Sequence, residues 1–183
     1  SLLKKFPNLI IASCSGFGQT GPWAKKPAYD VIVQALGGIM SLTGYENQDP
    51  VRVGSSIGDI CAGLFTTIGI QTAIIERQKT GKGSLVDVSM LDCQIAILEN
   101  AISRFYCEKK IPKKLGSRHP SISPFEAYKC KDNYLVLAAG NNNLFEKLCK
   151  CLNISSLLEK DNFKTNSKRL KNADKLKVIF ESI

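Results

Sequence analysis

Apolar positions recur along the chain with periods that predict a mixture of strands and helices. Leu9–Ser13 is a short apolar run with two isoleucines, which is typical of a buried strand, and Leu85–Met90 alternates as a half-buried strand does. Tyr29–Met40 and the segment from Leu91 to about Cys107 carry apolar residues at helical spacing. The uncharged run Ile60–Ile75 predicts a long buried helix, which begins near the capping residues that precede it.

The remainder of the chain follows a different pattern. Phe125–Cys130 and Tyr134–Ala139 predict two strands joined by a hairpin turn, and a helix is expected from Leu144 to about Leu152. The Lys-rich and Asn-rich tail from 159 to 183 predicts one or two amphipathic helices. A basic stretch with three prolines separates the two halves, so we expect a large-domain part at 1–107, a linker at 108–122 and a smaller domain from 123 to 183.

The charge and hydropathy of the chain limit the classes of binding partner that are expected. The 183 residues include 25 basic and 16 acidic side chains, a formal net charge of +9. The tail lysines recur at spacings of three and four, as on a solvated helix face, and no aromatic platform accompanies them, so nucleic acid is not an expected partner. Ile60–Ile75 is shorter than the roughly 20 residues that a membrane span needs, so no membrane is expected either.

Histidine and cysteine usage restricts the chemistry. His119 is the only histidine, and the seven cysteines show no CxxC spacing, so neither a metal site nor a disulfide scaffold is predicted. Scattered thiols of this kind indicate a reducing compartment.

Asp59 is the most informative single residue. It stands at the head of the predicted long helix beside Gly58 and other small residues, where the helix dipole stabilises a carboxylate and a ligand has room to approach. Such a carboxylate can act as a covalent nucleophile. The alternative from the pattern is an ordinary N-capping aspartate.

Three loops could contribute to the same chemistry. Gly16–Gly21 directly follows a predicted strand and could expose backbone N–H groups to an oxyanion or phosphate, although an ordinary glycine turn fits equally well. Lys25–Asp30 offers cations and an aromatic hydroxyl, with a solvated basic loop as the alternative. Gly116–His119 carries a cation and the imidazole, with exposed polar surface as the alternative.

The ordered motifs from Gly16 to Leu64, together with TGKGSLVDVSMLD and SRHPSISPFEAYKCKDNYLVLAAGNN, resemble family III CoA-transferases, the formyl-CoA/carnitine-CoA transferase family. The resemblance implies an α/β fold: the C-terminal part of a Rossmann-like large domain and the start of a smaller α+β domain, both from a ring-shaped protein. It also implies that the chain is a fragment, inactive alone, of a longer protein that forms an interlocked homodimer and lies in the mitochondrion, with the cytoplasm as the alternative.

The resemblance assigns roles to individual residues. Asp59, in the family's GD-x-x-x-G segment, would be the nucleophile that forms anhydride and thioester intermediates. The residues that would hold CoA are Gln19, Ala28, Tyr29 and Asp30. A flap over the substrate would fall on Gly116, Ser117 and His119, where only the first residue matches the family's glycine-rich pattern.

The expected reaction moves CoA between carboxylic acids, with dicarboxylates such as succinate and glutarate as the expected pair. The partners would be an acyl-CoA and a carboxylic acid acceptor, with no cofactor beyond the CoA thioester itself. An acyl-CoA racemase of the same fold is one alternative, but its catalytic histidine would fall on Tyr29. A catalytically silent CoA-binding protein is the other.

Overall fold

The computed structural model describes residues 2–183, which form two compact units. The boundary between them falls along the chain between Lys114 and Leu115. This boundary lies within residues 108–122. Each unit is described below by itself.

The first unit combines a small parallel sheet with helices. Its elements, in chain order, are α1 (Leu2–Lys5), β1 (Ile11–Ser15), α2 (Asp30–Leu36), α3 (Ile39–Leu42), α4 (Ile57–Thr80), β2 (Leu85–Ser89), α5 (Met90–Ala96) and α6 (Asn100–Glu108).

The two strands pair in parallel, with Ile11 opposite Leu85 and Ser15 opposite Ser89. A parallel pair needs a crossover connection, and α4 packs on both strands in that role. The predicted first strand is displaced by two residues, because the Leu9 amide donates to the Phe6 carbonyl before the strand begins. The α/β character of this unit agrees with the predicted fold class.

Two predicted helices are each broken in two. Tyr29–Met40 divides into α2 and α3 because Gly38 has a left-handed backbone, with a φ of 93°. Its neighbour Gly37 leaves space that the buried side chain of Gln94 on α5 fills, since a Cβ at this position would collide with Gln94. The helix expected from Leu91 to Cys107 is divided at Glu99, whose φ is 52°.

α4 corrects two expectations from the sequence. It runs for 24 residues, beyond the apolar run that predicted it, and has the length and composition of a membrane-crossing helix, a test that core helices of soluble proteins also pass. Within residues 2–183 it is not a buried helix either. Four of the apolar side chains that it leaves exposed recur along one side of the helix and are here termed the α4 face: Ile60, Leu64, Ile68 and Ile75.

The second unit is an antiparallel hairpin packed against short helices. Its elements are β3 (Phe125–Lys129), β4 (Tyr134–Ala138), α7 (Asn142–Cys151), two 3-10 helices at Ser155–Glu159 and Asp161–Phe163, α8 (Asn166–Lys171) and α9 (Ala173–Glu181). Phe125 pairs with Ala138 and Lys129 with Tyr134, which confirms the predicted hairpin. Tyr128, Phe145 and Leu176 lie in its core.

A buried arginine ties this second unit together. Arg169 donates to the carbonyls of Ser123 and Phe163 and to the side-chain oxygen of Asn142, at 2.8–3.0 Å. Its guanidinium carbon also lies 4.4 Å from the ring centre of Phe145. Desolvation of the buried guanidinium lowers the pKa of Arg169, and the carbonyl acceptors compensate for the lost water.

Candidate active site

Asp59 lies in the first turn of α4, and its side chain is exposed. Among residues 2–183, the hydrogen bonds and ion pairs of the structure include none to its carboxylate. The positive end of a 24-residue helix therefore has an uncommitted carboxylate within its first turn. This arrangement suits a nucleophile better than a cap, because a capping side chain is occupied by the backbone N–H that it caps.

The cap of α4 comes from elsewhere in the chain. Ser56 stands at the N-cap position, but its side chain makes no capping hydrogen bond. Instead the Gly58 amide donates to Oδ1 of Asp30, 28 residues upstream on α2, at 2.8 Å. Asp30 thus satisfies one of the free N–H groups at the start of the helix that carries Asp59.

Gly58 lets α2 and α4 approach this closely. A Cβ at this position would lie 2.7 Å from Cγ2 of Val33 and 3.0 Å from Oδ1 of Asp30. The first distance is shorter than real Cβ contacts allow, so any other residue would force the two helices apart. Gly58, the residue before Asp59, is therefore needed for the close packing of α2 on α4.

Asp30 is buried, and both of its carboxylate oxygens are engaged. Oδ1 accepts from Gly58, and Oδ2 accepts from Nε2 of Gln34 at 2.8 Å. Oε1 of Gln34 accepts in turn from the Val53 amide, also at 2.8 Å, so the loop before α4 is held as well. Gln34 was not singled out from the sequence, although an Asp and a Gln four residues apart share one helix face and could have indicated the pair.

Tyr29, the neighbour of Asp30, points the other way. It occupies the N-cap position of α2, and 80% of the residue is exposed. Its ring and hydroxyl are therefore available to a ligand close to the start of α4. Ala28 packs against the loop that follows β1, since a Cβ on Gly16 would lie 2.5 Å from the Ala28 Cβ.

Gln19 fixes that loop over the sheet. Its amide N–H donates to Oδ2 of Asp87 and its Nε2 donates to Oγ of Ser13, both at 2.8 Å. Gln19 itself stays exposed. Asp87 was not predicted as part of this region, although a charged residue between the valines of β2 is a signal for a specific partner.

The direction of α4 shows which end of the sheet Asp59 lies toward. The far end of α4 lies near the amino end of β1, because Arg77 donates to the Asn8 carbonyl at 3.2 Å. Asp59, at the opposite end of α4, therefore lies toward the carboxyl ends of the two strands. Ligands of open α/β sheets bind outside this edge.

The residues expected to form a flap make hydrogen bonds within their own unit. Gly116, Ser117 and His119 belong to the second unit, where Oγ of Ser117 accepts from the Ala127 amide and Nδ1 of His119 accepts from the Ser121 amide. Gly116 has a left-handed backbone with a φ of 62°. Arg118 pairs with Glu126 at 3.0 Å, which fixes this turn to β3.

Two buried cysteines of the first unit are poor candidates for a nucleophile. Cys61 and Cys93 are buried, and desolvation raises the pKa of both thiols, so they stay protonated at neutral pH. Across residues 2–183, no cluster of His, Cys, Asp or Glu with metal-binding geometry is found.

Comparison with known proteins assigns the fold and the family. The sequence model of CoA-transferase family III matches residues 1–183. Acetyl-CoA:oxalate CoA-transferase of Acetobacter aceti is 44% identical over 181 residues, 98% of this chain and 46% of that protein. Human succinyl-CoA:glutarate CoA-transferase is 39% identical over 176 residues, 96% of this chain and 40% of that protein.

A solved structure agrees with these relatives. The crystal structure of a CAIB/BAIF family protein from Brucella suis superimposes with a TM-score of 0.81 at 39% identity, covering 99% of this chain and 48% of that one. The chain spans less than half the length of each of these three proteins. By sequence and by fold, the chain belongs to CoA-transferase family III.

Proposed function

We propose that the protein containing this chain transfers CoA between dicarboxylic acids, with Asp59 as the covalent nucleophile. The observation that carries the proposal is the free, exposed Asp59 carboxylate in the first turn of α4. A carboxylate nucleophile also agrees with a sequence in which His119 is the only histidine.

The proposed reaction proceeds by acyl exchange on one carboxylate. Asp59 attacks the thioester carbonyl of the donor acyl-CoA, which expels the CoA thiolate and leaves a mixed anhydride. The thiolate then attacks the Asp59 carbonyl, which releases the donor acid and forms an aspartyl-CoA thioester. The acceptor carboxylate attacks that thioester and expels the CoA thiolate, which gives a second anhydride. The thiolate then attacks the acceptor's carbonyl in this anhydride, which yields the new acyl-CoA and frees the Asp59 carboxylate.

Neighbouring groups would hold the CoA ester beside this carboxylate. Tyr29 offers an exposed aromatic face and a hydroxyl, and its neighbour Ala28 packs on the loop that Gln19 holds to the sheet. The family resemblance adds Asp30 to the CoA contacts, and it adds Gly116, Ser117 and His119 as a loop over the substrate.

The names of the relatives support the dicarboxylate assignment. The Acetobacter protein is named for oxalate and the human protein for succinyl-CoA and glutarate. Oxalate, succinate and glutarate are all dicarboxylates. We therefore expect succinate as the donor acid and glutarate as the acceptor acid.

The proposal includes four further features that the family resemblance implies. The full-length protein forms an interlocked homodimer in the mitochondrion, it requires no cofactor beyond the CoA thioester, and the 183 residues alone are inactive. None of these features follows from the geometry at Asp59, and each stays a prediction.

The test is a CoA-transfer assay on the protein expressed from its complete coding sequence. Succinyl-CoA and glutarate are supplied, and the formation of glutaryl-CoA is followed by chromatography. We expect Asp59→Asn to abolish transfer, because an amide cannot form the anhydride. Asp49→Asn, which changes an exposed loop aspartate of the same unit, is the matched control and should keep full activity.

Two results would contradict the proposal. Full turnover by Asp59→Asn would remove Asp59 from the mechanism. Exchange of the substrate α-proton in deuterated water without any acceptor acid, and without glutaryl-CoA formation, would favour the racemase instead.

A further inference from the structure

A buried hydrogen-bond chain connects the start of α2 to the start of α4. Asp30, with 8% of its surface exposed, and Gln34, with none, form its centre. The links are Gly58 N–H to Asp30, Gln34 Nε2 to Asp30, and Val53 N–H to Gln34, each 2.8 Å long. A longer contact of 3.4 Å joins Gln34 Nε2 to the Ser55 carbonyl.

This chain fixes the backbone on which Asp59 is carried. The Gly58 amide, bound by Asp30, directly precedes Asp59, and Gln34 binds the Val53 amide and the Ser55 carbonyl of the incoming loop. Because Ser56 does not cap the helix, loss of the Asp30 contact would leave the first turn of α4 without a side-chain cap.

Asp30 has no oxygen to spare for a ligand. Its two oxygens are held by Gly58 and Gln34 inside the protein, so a direct contact with CoA would break one of these bonds. The adjacent Tyr29 is the residue that faces solvent. A ligand that binds Tyr29 would therefore lie next to Asp30, the residue that holds the first turn of α4 through Gly58.

We infer that Asp30 and Gln34 are positioning residues that hold Asp59 in place for attack, and that Asp30 does not bind CoA. This inference rests on the proposed function of Asp59. It assigns Asp30 a task different from the one that the family resemblance implies.

An exchange of functional groups within the pair provides the test. In Asp30→Asn, the new amide can still accept from Gly58, but its NH₂ group faces the NH₂ group of Gln34. In Gln34→Glu, two carboxylates face each other in a buried site. The double variant Asp30→Asn/Gln34→Glu restores complementarity: the asparagine accepts from Gly58 and donates to the glutamate, which accepts from Val53. Only the long contact to Ser55 is not restored.

The measurements are made on the protein expressed from its complete coding sequence. We expect each single variant to lower kcat about 10- to 100-fold, since small displacements of a reacting group have effects of this size. The KM for acyl-CoA should change by less than about threefold, and the double variant should recover most of kcat. Thermal unfolding of all variants identifies any that fail to fold.

Other results would overturn the inference. A large rise in the KM or Kd for acyl-CoA in Asp30→Asn, with kcat kept and no recovery in the double variant, would make Asp30 a CoA contact. Unchanged kinetics in both single variants would remove the pair from catalysis.

Parallel assays separate this inference from the proposed function. If the unmodified protein transfers no CoA, or if Asp59→Asn is fully active, the proposed function fails and the positioning role fails with it. If transfer depends on Asp59 but the double variant stays as slow as the single ones, only the positioning inference fails.

Discussion

At the scale of single residues, the environment of Asp59 distinguishes it from Asp30 and Asp87 of the same unit. Asp30 is buried and bonded through both oxygens, and Asp87 accepts from the Gln19 amide, whereas Asp59 is exposed and has no bonded partner within residues 2–183. In the proposed reaction, this free carboxylate attacks the thioester.

Gly58 provides a residue-scale prediction. Gly58→Ala should lower the free energy of unfolding by about 1–3 kcal/mol, because its Cβ would meet Val33 at 2.7 Å in a packed helix interface. Gly63→Ala on the same helix is the control. With nothing within 4 Å of its Cβ, it should keep or slightly raise stability. Urea unfolding of both variants measures the difference, and equal effects would contradict the packing role of Gly58.

The sequence could indicate Asp59 but not its surroundings. Small residues ahead of an uncharged run placed Asp59 in the first turn of a helix, as the structure confirms. The choice between a free carboxylate and a cap depended on Asp30, which lies 28 residues away along the chain. No local pattern encodes such a contact, because it exists only once α2 packs on α4.

At the scale of elements, the structure shows which helices and strands the apolar periodicity could predict. α4 and the β3–β4 hairpin were predicted because their patterns are long or bounded by clear turns. The breaks between α2 and α3 and between α5 and α6 were missed. The first break depends on a tertiary contact, because the side chain that packs against Gly37, Gln94, comes from α5.

The α4 face provides the element-scale prediction. Leu64 and Ile68 are 60% and 56% exposed, and exposed apolar patches of this kind bind apolar molecules. The 183-residue chain alone should therefore enhance the fluorescence of an apolar dye such as anilinonaphthalene sulfonate, and Leu64→Glu with Ile68→Glu should lower it markedly.

A matched control keeps the change in charge constant. Gln78→Glu with Lys79→Gln alters the net charge of the same helix equally at two exposed polar positions, and dye fluorescence should stay as it was. Equal loss of fluorescence in both double variants would mean that the α4 face is not the binding surface.

At the scale of the whole molecule, the chain corresponds to less than half of each family relative compared above. The family and fold class were predictable from ordered motifs, while the burial of α4 was not. Burial depends on everything that packs against a helix, and a pattern of apolar residues records only that some partner is required. The net charge of +9 is compatible with a phosphate-bearing ligand such as CoA.

The most direct test of the account is to locate the covalent intermediate. The protein expressed from its complete coding sequence is incubated with succinyl-CoA, treated with hydroxylamine and digested, and the peptides are analysed by mass spectrometry. The account predicts a hydroxamate on Asp59, absent without succinyl-CoA and absent in Asp59→Asn. A hydroxamate on another carboxylate, or none in protein that forms glutaryl-CoA at full rate, would contradict it.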